Sequence, residues 1–246
     1  VVAIKGMKYR TQLDKVDQFK RNSNEAEAWL DTTDTALDQV GNTLNRVKEL
    51  VVQAANGTNT LDERKKIKAE IDQIKAQIQD VANTQLNGKY IFSGTNTQKP
   101  AFVNGNVNPD LTALGKTGEI KIEVFDGIQL TVNTSEGLDV FKEVEGVLSN
   151  ISSILGDTNA TSGQISNLLG GLVNGTDNTL ANAQARVLDV RADVGARQNR
   201  VELMLNRLDI QEINITKQKS NNEDTDYAKT ITDMTTTESI HQASLS

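Results

Sequence analysis

Leucine and valine recur every seven residues at both ends of this chain, and no other feature narrows its possible folds as much. Leu30, Leu37, Leu44 and Val51 occupy one heptad position, and Val40, Val47 and Ala54 follow three residues on. Towards the other end Leu180, Val187, Val194, Val201, Leu208 and Ile215 keep the same spacing. A seven-residue apolar period draws one narrow stripe along a helix, and the stripe is stable only when a second helix covers it. Tyr9, Val16, Phe19 and Ala26 carry the first register backwards without an intervening Pro, so one long helix is expected from Lys8 to Ala55, ended by Gly57.

A second helix is expected to begin after Thr60. Thr60 and Glu63 have the spacing at which hydroxyl and carboxylate each satisfy an otherwise unpaired backbone N–H. Its stripe, Ile67, Ile71, Ile74, Ile78 and Val81, steps by four and three, and Asn87-Gly88 closes the helical hairpin. The period then changes. Ile120, Ile122 and Val124 alternate with Glu119, Lys121 and Glu123 before Asp126-Gly127 and a second apolar run from Ile128 to Val132, which predicts a β-hairpin with a tight turn. Leu138, Phe141, Val144, Val147, Ile151 and Ile154 predict an amphipathic helix that covers one face of that sheet. A Gly-, Ser- and Asn-rich stretch, 156–178, leads out. After the last heptads the polar run from Ser220 to Asp226 predicts a break, followed by a final helical segment carrying Tyr227, Ile231, Met234 and Leu245.

The expected fold is therefore mainly α with an inserted α+β domain. Residues 1–92 and 175–246 form the two halves of an elongated, antiparallel helical rod of coiled-coil type, and residues 93–174 form a small β-containing domain at its tip. The chain opens on Val1, so it is expected to be a fragment or a processed product.

Composition removes most chemistries. With no Cys and one His among 246 residues, disulfide frameworks, thiolate nucleophiles and most transition-metal sites are without ligands. A formal net charge of -7 with no basic cluster argues against nucleic acid and anionic membranes as partners. No apolar run approaches the roughly 20 residues of a bilayer-spanning helix. Asp157-Thr158-Asn159 resembles the opening of a calcium loop, but the sixth position is Ser162 rather than Gly and the closing Glu is absent. His241 has no nearby nucleophile to serve. No catalytic residue, metal site or cofactor is expected.

Arg197 stands out because it falls in the heptad slot that Val190 and Met204 fill on either side, where a charge costs free energy unless paired. Either it makes a cross-helix ion pair or it sets register or touches a neighbouring subunit. With Val47 and Val51 in the seam, Asn45, Arg46, Glu49 and Gln53 fall on outward positions, and Asn199 and Glu202 do likewise on the last helix. These side chains are the candidate subunit contacts.

Asn45-Arg46-Val47-Lys48-Glu49-Leu50-Val51-Val52-Gln53-Ala54-Ala55-Asn56-Gly57-Thr58 resembles the amino-terminal rod helix of the bacterial flagellin superfamily. Gly195-Ala196-Arg197-Gln198-Asn199-Arg200 and Glu223-Asp224-Thr225-Asp226-Tyr227-Ala228 resemble that superfamily's carboxy-terminal motifs, in the same order. Asn87 to Thr95, Val132-Asn133 and Gly137 to Phe141 are similar to its hook-filament junction branch rather than to the filament subunits, which remain the alternative. A cytoplasmic coiled-coil adaptor is a more distant one. The resemblance implies a non-enzymatic subunit exported through the flagellar type III apparatus and resident on the extracellular flagellum. It implies hook-associated protein 1, flagellin, neighbouring copies of the same chain in a helical ring and a flagellar export chaperone as partners. It also implies that this sequence is a core trimmed of terminal polymerisation helices.

Overall fold

A computed structural model describes residues 2–57, 60–112, 118–134, 136–170 and 179–244. Gly115, Thr58, Leu245 and the end of the Gly- and Asn-rich stretch, 171–178, lie outside the described residues. The chain runs α1 (Val2–Ala55), α2 (Leu61–Ala82), β1 (Gln85–Leu86), β2 (Lys89–Tyr90), β3 (Phe102–Val103), β4 (Asn106–Val107), α3 (Pro109–Thr112), β5 (Lys121–Phe125), β6 (Ile128–Thr131), α4 (Gly137–Gly156), α5 (Ser162–Gly170) and α6 (Leu180–Ser244). The strands form three separate two-stranded ladders, each joining neighbours in sequence. Helices dominate, with small strand pairs between them.

Local chemistry sets the ends of these elements. The Thr60 hydroxyl accepts from the Glu63 N–H, and the Glu63 carboxylate accepts from the Thr60 N–H at 2.7 Å, so α2 starts where the capping pair predicts. The backbone hydrogen bond from Thr60, aided by its hydroxyl, holds the Glu63 carboxyl below its ordinary value. Asn87-Gly88 and Asn104-Gly105 turn the first two strand pairs with left-handed backbone at all four residues, which Gly and Asn tolerate best. Asn87-Gly88 thus turns a β-ladder in the connection that follows α2. The predicted break at 220–226 does not occur, since α6 continues through it to Ser244. A polar run without Pro or Gly ends an apolar stripe, not a helix.

The chain forms two compact units. The smaller comprises 1–25, 123–129 and 200–246. Its core is Val16 against Leu208 and Ile215, with Tyr9, Leu13, Phe19 and Phe125 packed around them. The Phe19 and Phe125 rings stack with centroids 6.2 Å apart, and the Arg207 guanidinium lies 4.2 Å over the Phe125 ring, a cation–π arrangement. Asn22 donates to the Glu123 carbonyl at 2.8 Å, and Lys20 pairs with Asp209 and Glu212.

The larger unit comprises 26–122 and 130–199. The α1 seam of Leu30, Leu37, Val40, Leu44, Val47 and Val51 is buried, as are Ile67, Ile71, Ile74 and Ile78 on α2 and Leu180, Val187 and Val194 on α6. The apolar face of α4 is buried too, through Leu138, Phe141, Val144, Val147 and Ile151, and the Phe92 and Phe141 rings meet edge to face at 4.7 Å. The sequence places a sheet under α4; its main partner is α2. A two-stranded ribbon is too small to cover a five-turn apolar face, whereas α2 presents a second stripe of matching length.

Polar contacts fix how α4 sits on α2. Lys75 reaches Glu145 at 2.7 Å and the Ser149 hydroxyl at 2.7 Å, while Ser152 donates to Asp72, which also pairs with Lys68 at 2.6 Å. Burial pushes the Asp72 carboxyl up, but hydrogen bonds from Lys68 and Ser152 and the charges of Lys68 and Lys75 outweigh it and leave the carboxyl below its ordinary 3.8. A carboxyl whose value is lowered on folding adds stability that is complete above its unfolded value and is lost as pH falls through the folded one. Stability of the larger unit is therefore expected to fall between neutral pH and about pH 3, and Ser152→Ala should make that fall smaller. The single tryptophan, Trp29, is 3% exposed within this unit, so urea titrations followed by its fluorescence at the two pH values check both expectations.

Candidate assembly surface

Within the larger unit a polar ladder flanks the apolar seam between α1 and α6. Gln198 donates to Asp31 at 2.7 Å, Arg191 to Asp38 at 2.7 Å and Gln184 to Asn45 at 2.9 Å. Each seven-residue step along α1 is answered by a seven-residue step backwards along α6, so the two helices run antiparallel in one fixed register. Arg191 also binds Asp34 through its Nε at 2.9 Å. The hydrogen bond to Asp34 comes first among the causes that hold this guanidinium above its ordinary value, ahead of opposing desolvation and the charges of both carboxylates. None of these ladder residues except Asn45 was among the sequence candidates. The signal that could have found them is a second heptad, 31, 38 and 45 against 184, 191 and 198, one residue past the leucines on α1.

The candidates themselves divide into two groups. Asn45, Arg46, Glu49 and Gln53 are exposed on α1, as their heptad phase requires. Arg46 pairs with Glu49 at 3.0 Å on its own helix and with Glu70 of α2 at 2.9 Å, so it bridges two helices as well as facing outward. The Glu70 hydrogen bond is the first cause that holds Arg46 above its ordinary value. Asn199 and Glu202 are exposed on α6. Because Gln198 lies beside Asp31, Asn199 sits about 20 Å along the helix pair from Asn45. The structure does not bring Asn199 and Asn45 together.

Arg197 is partly buried in its heptad slot on α6. Its guanidinium pairs with Asp193 at 2.7 Å on the next turn of α6 and donates to the carbonyls of Thr131 at 3.2 Å and Asn133 at 2.8 Å. The fully buried Asn133 side chain in turn donates to the Gly118 carbonyl at 2.8 Å and accepts from the Ile120 N–H at 2.7 Å. Arg197 therefore ties the end of the β5–β6 hairpin to α6.

The grooves beside α1 are open and lined by apolar as well as polar atoms. One of about 280 Å³ is bordered by Gly41, Asn45, Val187 and Leu188, and another of about 440 Å³ by Thr35, Gln39, Arg46 and Ile74. Among the described residues no group of three or more His, Asp or Glu is placed to hold a metal ion, and no helix is long and apolar enough to cross a membrane. Exposed polar helix faces of this kind suit contact with other protein surfaces.

Residues 3–97 match the bacterial flagellin N-terminal helical region, and residues 178–246 match the bacterial flagellin C-terminal helical region. A flagellin of Treponema pallidum is 25% identical over 239 residues, 96% of this chain and 76% of the relative. The fold is similar to that of FlgL from Bacillus cereus, with TM-score 0.68, 22% identity and coverage of 87% of this chain and 99% of that one. It is also similar to hook-associated protein 3 from Legionella pneumophila, with TM-score 0.69, 15% identity and coverage of 87% and 98%.

Arg191→Ala leaves two carboxylates facing across the seam and is expected to destabilise the larger unit by about 1–3 kcal/mol. Arg46→Ala, with its partners in water, is expected to leave the unfolding midpoint nearly unchanged. Urea unfolding of both variants decides it, and equal losses would show that the ladder adds no more than an exposed ion pair does.

Proposed function

This chain belongs to the bacterial flagellin family, and from that premise we propose that it is a structural subunit of the flagellum that joins the hook-associated adaptor to the filament. The observation that carries the reading is the pairing of both terminal helical regions of that family in a chain whose fold runs along 98–99% of the Bacillus FlgL and Legionella hook-associated protein 3 structures. Asn133, which belongs to the stretch resembling the junction branch, is the buried brace of the hairpin. The filament subunit is the second reading, favoured by the Treponema flagellin match along 96% of this chain.

On this reading the subunit performs no chemistry. It receives hook-associated protein 1 on one side and flagellin on the other, lies among copies of itself in a helical ring, and is brought to the flagellum by an export chaperone through the type III apparatus. Contacts of one face with a different face of a neighbour build such open arrays. The exposed α1 group, Asn45, Arg46, Glu49 and Gln53, and the α6 group, Asn199 and Glu202, are the proposed contact faces, with Arg197 acting through the hairpin it holds. The division into 1–92, 93–174 and 175–246 belongs to the same proposal.

The double variant Arg46→Ala with Glu49→Ala, made in the full-length protein in cells, should fold normally yet weaken the junction, so that cells swim poorly and shed filaments. Normal motility with no shed filaments removes this face from the proposal. Immunogold labelling separates the two readings, since a junction subunit labels only the hook end and a filament subunit labels the whole length.

A further inference from the structure

The sequence contains four Asn-Gly dipeptides, at Asn56, Asn87, Asn104 and Asn174, of which the last lies outside the described residues. In such a dipeptide the glycine nitrogen can attack the asparagine side-chain carbonyl carbon, because no Cβ obstructs its approach. A bond forms from the Gly nitrogen to Asn Cγ, the side-chain nitrogen leaves as ammonia, and water opens the resulting five-membered imide at either carbonyl to give aspartate or isoaspartate. Ring closure requires the intervening peptide to rotate until the nitrogen lies over Cγ. Local backbone therefore controls the rate.

The described dipeptides differ in this respect. Asn87 and Asn104 are held at φ 51° and 52°, followed by Gly88 at 76° and Gly105 at 80°. Each pair lies between strands paired on both sides, Leu86 with Lys89 and Val103 with Asn106, so rotation must first undo a ladder. Asn56 instead follows the last residue of α1, outside the left-handed region, and is exposed together with Gly57. Among the described residues a Cβ built at Gly57 would meet nothing closer than the Ser162 hydroxyl at 3.6 Å, which leaves room for the backbone to turn.

We propose that Asn56-Gly57 is a self-modification site, converting without an enzyme to aspartate and isoaspartate, while the fold protects Asn87 and Asn104. Conversion puts a carboxylate at the negative end of the α1 dipole, and the isoaspartyl product adds a carbon to the main chain just after the turn that carries Gln53. Both effects loosen the end of α1 as the molecule ages.

The test incubates the purified full chain for several days at mildly alkaline pH, with and without urea. Isoaspartyl groups are then labelled by enzymatic methylation and located by peptide mass mapping. In the native chain the Asn56 peptide should carry about tenfold or more the isoaspartate of the Asn87 and Asn104 peptides, because ring closure at those two must first open a strand ladder. Asn56→Gln should abolish the signal at that peptide, and in urea the three sites should converge. Equal conversion at Asn87 or Asn104 in the native chain, no conversion at Asn56, or rates that stay unequal in urea would each overturn the proposal.

Discussion

The antiparallel register of α1 against α6 is the constraint on which the larger unit rests. An apolar heptad seam alone does not fix it, because Leu37 and Leu44, or Val187 and Val194, can exchange places in a seven-residue slip at little cost in burial. The ladder removes that freedom. A slip that set Arg191 against Asn45 would bring Asp34 and Asp38 towards Gln198 and strip a half-buried guanidinium of both its carboxylates. Hydrophobic burial supplies the stability of the pair, and the charges decide which of several nearly equal pairings is populated.

Once that pair is fixed, the rest of the unit has little choice. Burial of its Ile stripe holds α2 in place, with the exposed Arg46–Glu70 pair at the edge, and α2 then leaves a flank for α4. The chain between these helices has few regular hydrogen bonds of its own, and asparagines supply them. Asn83 donates to and accepts from the Phe102 backbone at 2.9 Å in both directions, Asn108 donates to the Pro100 carbonyl, and Asn133 bridges Gly118 and Ile120. An asparagine side chain presents one acceptor and two donors in the geometry of a peptide, so each stands in for a missing strand neighbour. Arg197 does the same for two carbonyls. An unpaired backbone group in such places costs about 1–3 kcal/mol, which is why Asn108 and Asn133 are buried.

What the sequence makes legible follows from what periodicity can report. A stripe gives a helix and its phase, so α1, α2, α4 and the β5–β6 hairpin fall where alternation, heptads and the Thr60 capping pair put them. A stripe does not say which surface covers it. Adjacency in sequence points α4 to the sheet, yet burial favours α2, more than fifty residues earlier in the chain. The continuity of α6 is hidden for a related reason. Polarity from Ser220 to Asp226 marks the end of an apolar stripe, and residues that favour helix weakly still propagate one already begun.

The same limit separates the exposed candidates from their partners. Heptad phase is enough to place Asn45, Arg46, Glu49 and Gln53 outward, since exposure depends only on angle around the helix. That Arg46 would meet Glu70, or Asn45 meet Gln184, depends on the positions of two other helices and is not written in the local pattern. These internal bonds change what such a face offers a neighbour. A guanidinium already held between two carboxylates has surrendered part of its rotamer freedom, so a second surface that accepts it in place loses less entropy on binding. It must also compete with the carboxylates already there. On the proposed reading each contact is therefore selective in geometry and modest in strength, and cohesion comes from many such contacts around the array.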